Sequence, residues 1–289
     1  MTRHSQIFGN LRARASTRYY RHMAPIVMHG WVNSAFMRRS PGVPSGLDAP
    51  LIVSLTSYPA RFSTLHLTLK CLLLQTVRAD RVILWIAHAD RVALTPAILK
   101  LQDDGLELMY CDDLRSYKKI IPTLMRFPDC FIVTADDDLY YWPTWLQELL
   151  MSYRGSPDEV VCHRAHRIGL GENELPIRYA LWEQETRKLE GSPLNFPTSG
   201  GGVLYPPRIF HPSVLNIQAF EELCPNADDV WLYWMMRKAG AHARKIGAVR
   251  PLICWSASQS VGLLHENVAE GGNDQNISNL ISTFGWPTL

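Results

Sequence analysis

The chain has 289 residues, 47% of them hydrophobic, which is enough for a large buried core, and its formal net charge of +2 is too small to imply a nucleic-acid partner. The charge is unevenly spread: no Asp or Glu precedes Asp48, so Arg3, Arg12, Arg14, Arg18, Arg21, Arg38 and Arg39 form an unopposed basic arm. Six cysteines stand singly with no Cys-x-x-Cys spacing, several inside apolar runs, which reads as reduced core thiols of a cytoplasmic protein and not as a disulfide frame or a zinc site.

In chain order, the first apolar stretch is "MAPIVMHGWVNSAFM", which contains a Pro, His29 and Asn33 and falls short of the roughly 20 residues needed to cross a bilayer. No transmembrane helix is expected there, although an acid-free start bearing Arg and Ser also has the composition of a transit peptide. "RRSPGVPSGLDAP" (38–50) reads as a Pro/Gly/Ser linker, so residues 1–49 are expected as a basic extension and linker ahead of one domain over 50–289. "LIVSLTSY" (51–58) is a fully apolar strand, followed by a helix over 63–75 with Ser63 as its cap. "RVILWIA" (81–87) is the next strand, then a helix over 95–104 with Thr95 as cap and Pro96 in its first position, then the strand "LELMYCDD" (106–113). Alternation of strand and helix implies an α/β fold around a parallel sheet. After "SYKKIIPTLMRF" come the strand "CFIVT", a helix over 143–153 and a strand over 159–168, then a less regular half.

Ligands of an open α/β sheet sit outside the carboxyl ends of its strands. Thr56, Ser57, Asp112, Asp113 and the run Asp136, Asp137, Asp138 all fall there. Three adjacent carboxylates raise one another's pKa unless something positive stands among them. Strand alternation would put Asp136 and Asp138 on one side and Asp137 on the other, a pair suited to a hard divalent cation that keeps waters and borrows ligands from a diphosphate. The competing reading is a solvated acidic turn.

Asp-x-Asp at the end of a mid-chain strand, after a β-α-β-α-β start, resembles the GT-A-fold glycosyltransferases, and more narrowly the family-2-like bacterial enzymes of lipopolysaccharide and capsule biosynthesis. The similarity covers nearly all of residues 50–276. It implies an α/β, GT-A-type Rossmann-like sandwich with a central, mostly parallel sheet flanked by helices, its nucleotide-binding half over 50–142 and its acceptor-binding half over 143–289. It also implies donor contacts from "SLTSYPARF" (Thr56, Ser57, Arg61), from Asp112 and Asp113, and from Asp136 and Asp137, with Asp138 the direct ligand of Mn²⁺ or Mg²⁺. "PTSGGGVLYPP" resembles the glycine loop near donor sugar and acceptor, where Gly200, Gly201 and Gly202 would let backbone approach a bulky ligand; a plain turn has the same composition. "NADDVWLYWMM" resembles the acidic pair opening a helix that supplies the catalytic base, Asp229 ahead of Asp228, although both also suit the dipole of a helix start. "SVGLLHENV" places His265 where the fold often has a histidine metal ligand, and a lone His is as often structural.

Lys118 and Lys119 stand before a helix, where an ammonium meets a diphosphate or simply faces solvent. In "CHRAHRI", Arg164 and His166 would share one strand face, toward an acceptor or phosphate or as ordinary edge-strand charge. Tyr205, Trp231 and Trp234 are candidates for a sugar-stacking floor or for core. The implied activity is metal-dependent, inverting transfer of a sugar from a nucleotide-sugar to a hydroxyl of a glycan or lipid-linked acceptor, at the cytoplasmic face of a membrane that the basic segment 1–47 would touch. Two alternatives stand beside it. One is a non-catalytic carbohydrate- or nucleotide-binding protein on a decayed transferase fold. The other is a sugar-phosphate nucleotidyltransferase, against which the glycine-free "SLTSYPARF" counts.

Overall fold

The computed structural model describes residues 19–256 and 272–287. Its elements run α1 (Ala24–Met37), β1 (Leu51–Thr56), α2 (Phe62–Leu73), β2 (Arg81–Ala87), α3 (Pro96–Leu99), β3 (Leu106–Cys111), α4 (Ile121–Arg126), β4 (Phe131–Thr134) and α5 (Trp145–Ser152). The second half adds β5 (Glu159–Cys162), β6 (Ala165–Arg167), β7 (Gly191–Ser192), β8 (Asn195–Pro197), β9 (Val203–Tyr205), α6 (Ile217–Leu223), α7 (Asp228–Lys238), β10 (His242–Lys245) and α8 (Gly272–Phe284).

Strands with no polar face need cover on both sides, and the continuous apolar runs of β1, β2 and β4 become the middle of a sheet ordered β3-β2-β1-β4-β9-β5-β10-β7. β1 pairs in parallel with β2 and β4, setting Val53 opposite Val82 and Val133. β9 enters antiparallel between β4 and β5, with Leu204 opposite both Val133 and Val161. β5 and β10 are parallel to each other, and the short β7 closes that edge antiparallel. Strand alternation then divides the core: Leu51, Val53, Leu55, Leu84, Val133, Val161 and Leu204 face one layer with α2 and α5, while Val160, Cys162, Val203 and Tyr205 face α7. This is the expected α/β sandwich, a mostly parallel sheet flanked by helices.

Local boundaries differ from the sequence reading where tertiary contacts intervene. The strand expected over 159–168 breaks at His163 and Arg164: β5 stays in the main sheet, while β6 pairs with β8 in a separate two-stranded sheet. The break follows the side chains, since His163 Nε2 lies 2.9 Å from the Trp145 carbonyl oxygen and the His163 N–H turns to the Gly202 carbonyl. The helix expected from Ser63 begins at Phe62 with no side-chain cap, because a 3₁₀ turn over Pro59–Arg61 already leads into it. Thr95 ends its extended segment at the helix start but caps through its carbonyl, which accepts from the Ile98 and Leu99 N–H groups, and not through its hydroxyl; the α-helix yields to a 3₁₀ turn over Lys100–Asp104. All six cysteines are free thiols.

Part of the segment read as an extension packs on the sandwich. Val32 and Phe36 of α1 are buried with the α2 layer, and Lys70 donates to the Asn33 side chain at 2.7 Å. Val43 forms a parallel bridge with Val77, and Arg39 pairs with Asp104 while lying over the Phe36 ring. Among the described residues no helix is long and apolar enough to cross a membrane.

The β5–β10 edge carries a buried ion pair. Arg244 Nε and Nη2 each donate to the Glu159 carboxylate at 2.7 Å, and Nη2 also donates to the Ser152 carbonyl. Removing one partner of such a pair strands a charge away from water. We expect Glu159→Gln to lower unfolding free energy by about 3–5 kcal/mol in urea titration, whereas replacing the exposed pair Arg208–Asp129 should change it by about 1 kcal/mol or less.

Candidate active site

Four loops meet beyond the carboxyl ends of β1 and β4. β1 delivers Ser57 and, through its 3₁₀ turn, Arg61; β4 delivers Asp136, Asp137 and Asp138; the 3₁₀ turn Arg115–Lys119 delivers Lys118 and Lys119; and α7 opens with Asp228 and Asp229. The two acidic sets, far apart in sequence, are joined by Lys119. Its buried Nζ lies 2.9 Å from Asp136 Oδ1 and 3.0 Å from Asp228 Oδ2. Burial opposes the ammonium charge, but Asp136, Asp228 and Asp229 outweigh that, and the Lys119 pKa stands well above its ordinary value.

The neighbouring carboxylates take a second cation. Arg61 pairs closely with Asp138 and reaches Asp137 Oδ1 at 3.7 Å, while the Ser57 hydroxyl donates to Asp137 at 2.5 Å. The expected alternation of Asp136 and Asp138 against Asp137 is therefore not what forms. β4 ends at Thr134, so the three aspartates lie on a turn where Asp137 and Asp138 share Arg61 and Asp136 turns to Lys119. Burial, and then the charge of Asp138, push Asp137 up to about 7 against the pull of Ser57 and Arg61.

Asp229 is half-buried and held by one residue: the backbone N–H of Ser199 at 3.1 Å and its hydroxyl at 2.5 Å both donate to Oδ1. Burial and the adjacent Asp228 raise Asp229 to about 7, opposed by Lys119 and Ser199. A carboxylate whose pKa is lifted to that range has the property a general base needs near neutral pH.

The remaining candidates are placed as follows. Thr56 turns its hydroxyl to the Trp85 carbonyl at 2.9 Å. Asp112 and Asp113 are exposed at the end of β3, and Lys118, itself buried, pairs with Asp113, whose pKa its hydrogen bond lowers. At Gly200, Gly201 and Gly202 the direction a side chain would take is filled by protein. A Cβ on Gly201 would meet Arg164 at 2.5 Å and one on Gly202, at φ +98°, would meet the Trp145 ring at 2.5 Å, while Gly200 faces Asp136. Arg164 pairs with Glu185 and Thr198, and His166 is buried, accepting from the Glu185 N–H, so the shared strand face is lost with the strand break. Tyr205, Trp231 and Trp234 are core residues. His265 lies outside the described residues.

Several supporting residues carried no sequence signal. The Thr68 hydroxyl reaches the carbonyls of Asp137 and Leu139 and accepts from the Trp255 indole, holding the acidic turn from below. Tyr141 accepts the Asp136 N–H and donates to the Gly200 carbonyl, tying that turn to the glycine loop. A small pocket beside them is lined by Trp142, His163, Arg164, Gly200, Arg250 and Leu252.

Among the described residues no three His, Cys, Asp or Glu side chains converge as a metal cage. The donor chemistry nevertheless fits a small hard cation, which needs only one or two carboxylates with water and ligand phosphates. Asp136, Asp137, Asp138, Asp228 and Asp229 outnumber Arg61 and Lys119, and burial together with the neighbouring carboxylates lifts Asp137 and Asp229 to about 7.

No protein-family model matches this chain, and no curated protein matches it. Among solved structures, it is similar to a mannosyltransferase from Pyrobaculum calidifontis in complex with GDP-Man and Mn²⁺, at 15% identity and a TM-score of 0.48 over 93% of this chain and 75% of that one. It is also similar to a CMP-2-keto-3-deoxy-manno-octonic acid synthetase complexed with CTP, at 13% identity and a TM-score of 0.39 over 81% of this chain and 100% of that one.

The raised pKa of Asp229 sets a sign for stability. Its folded value of about 7 lies above the ordinary 3.8, so between those values the folded state holds a proton the unfolded state has lost, and stability falls as pH rises through that window. Asparagine mimics the protonated form at every pH. Thermal unfolding should therefore show Asp229→Asn gaining stability over the unaltered protein at pH 8 and little or none at pH 4; a loss at pH 8 would mean that Lys119 more than compensates the buried charge.

Proposed function

We propose that the protein is a glycosyltransferase that moves a sugar from a nucleotide-sugar donor to a hydroxyl of a glycan or lipid-linked glycan, with inversion at the anomeric carbon. The observation that carries this reading is the meeting of Asp136–Asp138 and Asp228–Asp229 across Lys119, which sets an acidic turn beside a carboxylate raised to about 7. The order of acidic turn, glycine loop and acidic helix start along residues 50–276 supports it, as does the resemblance of those motifs to polysaccharide and lipopolysaccharide enzymes.

In this reading the acceptor oxygen forms a bond to the anomeric carbon as the bond from that carbon to the diphosphate oxygen breaks. Asp229 takes the acceptor proton, and the electron pair of the broken bond leaves on the diphosphate. Ser199 orients the base through its two donors to Oδ1, leaving Oδ2 for the proton. Lys119 keeps the negative acidic sets together during this charge movement. Mn²⁺ or Mg²⁺ held by Asp138 and Asp136 would supply Lewis-acid stabilisation of the leaving diphosphate.

One contact favours a second reading of the leaving-group end. Arg61 already pairs with Asp138, so the chain's own cations, Arg61 with Lys118 and Lys119, would neutralise the diphosphate without a metal. Calorimetry with nucleoside diphosphates decides between them. With a metal bridge, affinity is high in Mn²⁺ and lost in EDTA, Asp138→Ala removes the metal-dependent part, and Asp137→Ala does less. Equal affinity in EDTA and Mn²⁺ assigns the role to Arg61 and the lysines.

Turnover tests the base. Asp229→Asn should lower the transfer rate by roughly 10² to 10⁴ with donor affinity nearly unchanged, and Asp228→Asn should do less. Because the base must be ionised, the rate of the unaltered enzyme should rise with pH and level off above about 7. Donor binding with neither transfer nor donor hydrolysis in any acceptor screen would point instead to a binding protein on a decayed transferase fold.

A further inference from the structure

Helix α1 is apolar on two opposite faces. Ala24, Pro25, Val32 and Phe36 are buried against the sandwich. On the other side Met23, Ile26, Val27, Trp31 and Met37 are exposed, Ile26 to 63% and Met37 to 81%. Their spacing of i, i+3, i+4, i+8 and i+14 is that of a single helix face, and Gly30 between them looks onto open space. Water-facing helix surfaces are ordinarily charged, and a helix apolar all round is ordinarily enclosed. This one is enclosed on one side only.

The charge of the segment that carries it is one-signed in sequence. The first 47 residues contain seven arginines and no acidic residue. α1 itself, over Ala24–Met37, carries no charged carboxylate, and Arg38 closes its C-terminal end with its guanidinium on Ser34. An exposed apolar helix face next to a segment rich in arginine and free of acids in sequence is the pattern of a helix lying in the interface of an anionic bilayer, although Arg39 itself pairs with Asp104. Its 14 residues extend only about 21 Å along the axis, short of the roughly 30 Å hydrocarbon core, so it suits lying on the membrane and not crossing it.

We infer that the exposed face of α1, formed by Met23, Ile26, Val27, Trp31 and Met37, docks this protein on the headgroup region of an anionic lipid bilayer. This holds independently of the transferase reading. Where both hold, the acidic turn is carried toward the lipid, since Trp31 meets Tyr140 edge-on at 6.0 Å and Tyr140 meets Trp255 at 6.1 Å, beside Asp138.

The test is co-sedimentation of the full chain with vesicles of phosphatidylcholine alone and of phosphatidylcholine mixed with phosphatidylglycerol. Each arginine near an anionic surface strengthens binding roughly fivefold, so partitioning should favour the anionic vesicles by tenfold or more and weaken with salt. Ile26→Glu with Val27→Glu should abolish it, and the uncharged Ile26→Ser with Val27→Ser, which removes only apolar contact, should weaken it roughly tenfold. Both positions are exposed, and a melting curve matching the unaltered chain confirms that the fold is retained. Equal partitioning into the two vesicle types, or no effect of the serine variant, overturns the inference. Sedimentation velocity supplies the other decisive outcome: a concentration-dependent dimer lost in the serine variant, without vesicle binding, would give this face to a second copy of the chain.

Discussion

A buried ammonium cannot be left alone. Lys119 is almost wholly enclosed, and an uncompensated charge there would cost several kcal/mol. Its compensation comes from two carboxylates on different elements, Asp136 after β4 and Asp228 at the start of α7. The two must therefore arrive at the same place, which constrains how the α7 layer lies against the sheet. The insertion of β9 between β4 and β5 serves that arrangement, since the glycine loop leading into β9 brings Ser199 to Asp229. One salt-bridged lysine thus links the sheet edge, the loop and the helix into a single site.

Rigidity around this centre comes from side chains that touch no candidate ligand. Trp145 donates its indole N–H to the Gly201 carbonyl at 2.8 Å and fills the space a side chain on Gly202 would need. Tyr141 and Thr68, with Trp255, fix the acidic turn from opposite sides. Carboxylates held this way can reach neither water nor a wider spacing, so burial first and neighbouring charge second keep the pKa values of Asp137 and Asp229 raised. The burial and crowding that destabilise the charged folded state are the same property that the proposed base role would use.

Much of the framework was legible in the chain. Continuous apolar runs at 51–56, 81–87 and 131–134 determined buried parallel strands, because only a doubly covered strand tolerates such sequence. The acidic sets at 136–138 and 228–229 and the helix opening at Asp228 also followed from local pattern. The basic character of the first 47 residues is visible by counting; that α1 packs one apolar face and exposes another is not, since both faces read simply as hydrophobic.

What remained was decided by contacts between residues distant in sequence. Periodicity reports which side of an element a residue occupies only while the element continues, and so it failed where β4 ends before Asp136 and where β5 breaks at His163. It could not show that Arg164 and Trp145 stand where side chains on Gly201 and Gly202 would go. It treated Lys119 as one of two lysines before a helix, with no means of knowing that the fold would bury it between two acids. Composition and spacing determined which residues could do chemistry at the sheet edge; the tertiary structure alone decided which of them meet, because desolvation and charge pairing depend on distance through space and not along the chain.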